Sequence, residues 1–243
     1  MPTSVSSNIS ERRAALIAGF GYLAIFFLAI FANFFVRTGL VDPDDVSATY
    51  ANISDSEGLF RAGLVAFLAV FVLDVAIAWA LYLLFRRQRP EMSLLAAWFR
   101  LVYTVLLGVA LIFFFLVLEF VNGVSGIEAF DLAQREAQVS LLLDAFNFSW
   151  LIGLVAFGIH VILLGYLVLS TRVAPRLLGI VLVIAGSAYI VDTTANALMA
   201  GYDDYANAFL AMVAIPAVIA ELWFTFWLLL KAGKPAAPTS PVG

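Results

Sequence analysis

The chain contains no cysteine. That absence removes disulfides, thiolate metal centres, iron–sulfur clusters and cysteine nucleophiles together. It contains one histidine, His160, so a haem held by two histidines, a His₃ site and a His₂-carboxylate site are all excluded within one chain. A His/Met haem pair would need Met199 or Met212, which lie towards the other half of their apolar runs. Charge is scarce: 12% of residues are charged, against about 25% in a soluble domain. There is no Walker loop, dinucleotide fingerprint, H-E-x-x-H or nucleophile elbow. The net charge of −4 gives no nucleic-acid signature. The expectation is therefore no cofactor, no resident metal and no nucleic-acid partner.

What is present is apolar surface. Of the 243 residues, 64% are hydrophobic and 22 are Phe, more than a soluble domain can hide from water. A spanning helix needs roughly 20 mostly apolar residues, and six runs qualify, at about 12–36, 59–85, 93–120, 143–169, 175–199 and 208–230. The expected fold is all-α, a polytopic membrane helix bundle with six transmembrane helices. It comprises a tail (1–11), one helical domain (12–230) and a Pro/Ser/Ala-rich tail (231–243) expected to be disordered.

Charge distribution orients the bundle. Six spans put both termini on one side, with Arg12, Arg13, Arg86, Arg87, Arg89, Arg172, Arg176, Lys231 and Lys234; the opposite side holds Arg37, Arg61 and Arg135. Nine against three predicts cytoplasmic termini. The acidic residues gather on the opposite side, including Asp42, Asp44, Asp45, Asp203 and Asp204. Ser10 is the expected N-cap of the first span. Asp42-Pro43 reads as the opening of a short surface helix. Gly123 and Gly126 break the third run, after which "IEAFDLAQREAQVSLLL" resumes helix with polar positions suited to the interface.

An ionisable residue inside a span costs on the order of 2.5–3.5 kcal/mol at the helix centre and normally faces protein. Counted from the terminal ends of their runs, Arg100 is seven residues in (from 93), His160 nine (from 169), Glu221 nine (from 230) and Asp74 eleven (from 85). All four fall roughly 10–17 Å inside that boundary at 1.5 Å per residue. They form a candidate polar layer, with Tyr103 and Thr104 at i+3 and i+4 from Arg100 on the same helix face. Arg100 stays protonated and can fork two hydrogen bonds to a carboxylate, Asp74 and Glu221 being the available anions. Arg100 at the same depth argues against a cation bound by Asp74, His160 and Glu221. Pro216, one turn before Glu221, is expected to free the Met212 carbonyl and kink the last helix. A second polar set, Asp192, Asn196 and Arg61, lies towards the opposite face, with Asp192 expected to pair with Arg61.

Several segments carry a family resemblance: "RRAALIAGFGYL", "SEGLFRAGLVAF", "LDVAIAWALYLLF", "WFRLVYTVLLG" and "FGIHVILLGYLVLSTRVAPRLLGIVLVIAGSAYIVD". In order and spacing, over about residues 12–230, the chain resembles a bacterial six-span membrane family, domain of unknown function four-three-eight-six. Phe99-Arg100, Asp74 and Gly158-Ile159-His160 match it. The resemblance implies a multi-pass protein of the bacterial plasma (inner) membrane and no particular reaction.

Three functional readings follow. The leading one is a non-catalytic multi-pass protein whose Asp74/Arg100/His160/Glu221 layer organises the bundle or binds a small polar ligand, a proton or a lipid headgroup. The second is a small proton-coupled transporter, which requires a water-accessible cavity reaching the layer. The third is an intramembrane enzyme with His160 as general base, which requires a nucleophile or substrate pocket beside the ring. The bilayer is the one partner that composition itself demands; partner proteins are not specified.

Overall fold

The structure, a computed structural model, describes residues 9–123, 126 and 129–233. Residues 1–8 and 234–243 of the expected tails, and the first residues of the resumed helix at 127–128, lie outside the described residues.

Among the described residues, six helices are long and apolar enough to cross a membrane, and there is no strand. The first comprises α1 (Glu11–Ile30), a π-helical segment (Phe31–Arg37) and a closing turn, α2 (Thr38–Leu40). A short α3 (Val46–Asp55) follows, then α4 (Glu57–Phe85), α5 (Pro90–Asn122), α6 (Leu132–Thr171), α7 (Arg176–Leu198) and α8 (Ala206–Leu230). Consecutive long helices pack side by side, and α1 packs on α8, closing the ring.

Local chemistry sets the helix ends. Ser10 caps α1 by accepting from the Arg13 N–H. Gly123, at φ 67°, ends α5 in the left-handed conformation that suits glycine. Asp131 and Gln134 form a reciprocal capping box at the start of α6. That cap, with no Pro or Gly until Gly153, carries α6 through 40 residues, roughly 60 Å at 1.5 Å per residue. The expected interfacial helix and the fourth span are thus one continuous helix. The surface helix also begins later than expected. Asp42–Asp45 forms a turn in which Asp42 Oδ1 accepts from the Asp44 N–H. Asp45, not Asp42, caps α3 through the Ala48 N–H. Pro216 lies inside α8, which runs helical on both sides of it.

Arg12 ties the two ends of the chain together. Its guanidinium donates to the carbonyls of Leu228 and Ala232, each at 3.0 Å, and to that of Leu229. Leu228 and Leu229 lie in the last turn of α8, whose carbonyls a helix leaves without intrahelical partners, and Ala232 follows just beyond it. We call this the terminal face.

The interior consists of two apolar clusters. One, towards the terminal face, holds Ala15, Tyr22, Ile77, Leu81, Leu164 and Phe224. The other, towards the opposite face, holds Val36, Phe60, Phe67, Phe114 and Phe146, with the Phe114 and Phe146 rings stacked at 4.0 Å. Between α6 and α7 the backbones come into direct contact at glycines. A Cβ added to Gly158 would stand 2.6 Å from the Gly186 carbonyl oxygen, and one on Gly165 2.7 Å from that of Gly179. Only glycine permits that approach.

Candidate functional site

Three of the four expected layer residues converge beside the apolar cluster of the terminal face, which supplies Tyr22, Ala96 and Phe157 around them. Asp74 comes from α4, Arg100 from α5 and His160 from α6; they are 1%, 1% and 0% exposed. Arg100 Nη2 donates to Asp74 Oδ1 at 2.5 Å. Nη1 donates to the Tyr22 hydroxyl at 2.7 Å and faces His160 Nε2 at 3.2 Å. One guanidinium on α5 thereby engages α1, α4 and α6. The expected two-bond fork onto a single carboxylate does not form, because Nη1 is taken up by Tyr22 and His160. Aromatic faces complete the enclosure: the guanidinium carbon lies 4.7 Å from the Tyr22 ring centroid and 5.5 Å from that of Phe157, within cation–π range.

The partners of His160 determine its tautomer. Nδ1 lies 2.8 Å from the Ala96 carbonyl oxygen. A carbonyl only accepts and a guanidinium only donates. Nδ1 therefore carries the proton and donates to Ala96, while Nε2 accepts from Arg100. The ring is neutral, and it braces α5 at two points one turn apart.

Glu221 takes another partner. It sits half-buried on α8, and its Oε1 accepts from the Tyr189 hydroxyl of α7 at 3.1 Å. Among the described residues it forms no ion pair with Arg100, so the single buried cation is matched by the single carboxylate Asp74. Thr104 bonds back to the Arg100 carbonyl at 2.8 Å. Tyr103 packs on Phe157 at 4.9 Å between ring centroids and lies against Gly153. Asp74 Oδ2 and Arg100 Nε are buried with no hydrogen-bond partner among the described residues. No three His, Asp or Glu side chains among those residues converge as a metal ion would require.

The second expected set separates. Arg61 pairs with Glu57, one turn earlier on α4, at 2.5 Å. Asp192 accepts from the Tyr202 hydroxyl at 2.7 Å. The expected Arg61–Asp192 pair does not form, because each side chain has a nearer partner in its own part of the chain. Asn196 lies one turn beyond Asp192 on α7, half-buried.

Tyr22 was not among the expected site residues, and a signal for it exists. It lies ten residues into the first run from 12, level with the layer, but a neutral hydroxyl carries no buried charge to single it out. The Ala96 carbonyl has no such signal, since every helical residue carries one.

A family model described as "Domain of unknown function (DUF4386)" matches residues 17–232. The chain belongs to this family. The DUF4386 match takes in every residue of the cluster, from Tyr22 to His160, and Glu221 as well. A relative from Archaeoglobus fulgidus, described as an uncharacterised protein, is 29% identical over 171 residues, covering 70% of this chain and 84% of its own. No solved structure matches. This DUF4386 chain is thus a multi-pass membrane protein with a closed ion-pair cluster at its centre.

Proposed function

We propose that this protein is a non-catalytic, multi-pass protein of the bacterial plasma membrane, and that the Tyr22/Asp74/Arg100/His160 cluster is an internal lock fixing the register of four helices. The observation carrying this reading is the Arg100 guanidinium, 1% exposed and bonded to side chains of three other helices. In hydrocarbon a misregistered helix would leave these groups unpaired, at several kcal/mol each. The cluster therefore favours one arrangement of apolar helices that otherwise resemble one another. Both termini are cytoplasmic in this proposal, supported by the nine-to-three distribution of Arg and Lys. Reporter fusions at residues 2 and 243 should both read cytoplasmic.

The test of the lock is a double-mutant cycle. Asp74→Leu and Arg100→Met each strand a buried partner and should cost about 3–5 kcal/mol, while the double variant should recover most of that loss. A proton-coupled carrier is the second reading, favoured by the two unpartnered atoms Asp74 Oδ2 and Arg100 Nε, which have capacity for a small polar ligand. If wild-type proteoliposomes carry a proton flux that the stable double variant abolishes, the carrier reading replaces the structural one.

A further inference from the structure

A different site lies on the face opposite the termini. A cavity of about 370 Å³ opens there between the end of the first span and α6, lined by Arg37, Thr38, Asp144 and Asn147 with an apolar edge from Val41 and Leu143. Its size falls within the ~300–1,000 Å³ typical of small-molecule sites. The π-helical segment Phe31–Arg37 delivers Arg37 to it; such segments are frequent at functional sites. Thr38 Oγ1 donates to the Asn33 carbonyl at 3.0 Å, closing the widened turn.

The charges in this cavity are held apart. Arg37 Nη1 donates to the Asn147 side-chain oxygen at 3.0 Å, a neutral partner. Asp144 lies three residues before Asn147, on the same face of α6. Among the described residues neither Arg37 nor Asp144 forms an ion pair. One cavity thus presents a half-buried cation and an exposed anion that do not neutralise each other. A purely anionic ligand would be repelled by Asp144, and a purely cationic one by Arg37.

The depth of the site supplies the rest. Arg37 lies three residues from the end of the first span at Leu40, where headgroups meet hydrocarbon. Phe34, Phe35 and Phe148, which flank Arg37 and Asn147 in sequence, are 63%, 65% and 58% exposed, as side chains that meet acyl chains would be. We propose that this cavity holds the headgroup of a zwitterionic phospholipid bearing a primary ammonium, its phosphate on Arg37 and its ammonium on Asp144. Guanidinium is suited to phosphate oxygens. A primary ammonium offers three N–H donors to the carboxylate, whereas a trimethylated one offers none.

Native mass spectrometry of the delipidated full chain tests this. The probes are phosphatidylethanolamine, phosphatidylcholine and phosphatidylglycerol of identical acyl chains. Ethanolamine lipid should be retained most. Asp144→Asn should cut its preference over the glycerol lipid by up to about fivefold, the worth of an exposed ion pair; Arg37→Gln should lower retention of all three. Asp144 is exposed, so its variant keeps the test informative should Arg37→Gln misfold. Equal retention of the three lipids, or an unchanged preference in Asp144→Asn, would overturn the proposal. Retention of soluble O-phosphoethanolamine without retention of the lipid would overturn the lipid as its source.

Discussion

The His160 ring donates its Nδ1 proton to the carbonyl oxygen of Ala96, 2.8 Å away on the neighbouring helix. With Nε2 facing the Arg100 guanidinium at 3.2 Å, the only histidine in the chain has both nitrogens engaged and neither free for a ligand. Nitrogen NMR of protein labelled at histidine should give the pattern of a neutral Nδ1–H tautomer: one protonated and one unprotonated ring nitrogen at neutral pH. A neutral Nε2–H pattern, or two protonated nitrogens, would contradict this hydrogen-bond assignment.

The contact between α6 and α7 should be intolerant of one methyl group. Gly158→Ala or Gly186→Ala places a Cβ against the facing carbonyl, at 2.6 and 2.5 Å, so the helices must separate. Overpacking of this kind costs about 1–3 kcal/mol. Gly58→Ala is the control, because no atom lies within 4 Å of the added carbon; there the lower backbone entropy of alanine should add up to about 1 kcal/mol. Thermal melting in detergent should shift in opposite directions for the two classes.

Removing the tie between first and last helices should loosen the end of α8. Arg12→Gln deletes charge-assisted bonds to the carbonyls of Leu228, Leu229 and Ala232, worth about 1.5–3 kcal/mol for a bond to a charged group. The expected outcome is a lower melting temperature and faster amide exchange at Lys231 and Ala232. Arg13→Gln, at an exposed neighbouring position, should change neither.

The cap of α3 should be sensitive to acid. The Ala48 backbone N–H, then the Ser47 hydroxyl, hold the Asp45 carboxyl below the usual aspartate range. A carboxyl depressed in the folded state contributes stability above its unfolded pKa, and that contribution disappears as pH falls through the folded value. Amide exchange in Val46–Asp55 should therefore accelerate as pH falls through the acidic range, after correction for the intrinsic rate. In Asp45→Asn the same segment should lose this dependence, since an amide caps without titrating.

Composition and the lengths of the apolar runs were enough for the class of the molecule. Twenty-residue apolar runs admit one solution in a bilayer, a helix whose backbone bonds are all internal, so six runs dictated six spanning helices. The depths of Asp74, Arg100 and His160 were also legible, because rise per residue converts sequence position into height. Azimuth was not. Apolar side chains surround each run almost uniformly, so the face a helix turns inward has no periodic signature. Tertiary packing alone therefore decided that Arg100 meets Tyr22, that Glu221 turns to Tyr189, and that Arg61 and Asp192 each take a nearer partner. Run length and rise per residue set the height of each polar group in the membrane; which of them meet follows from the folded ring, through the glycine contact of α6 with α7 and the reach of one guanidinium to three other helices.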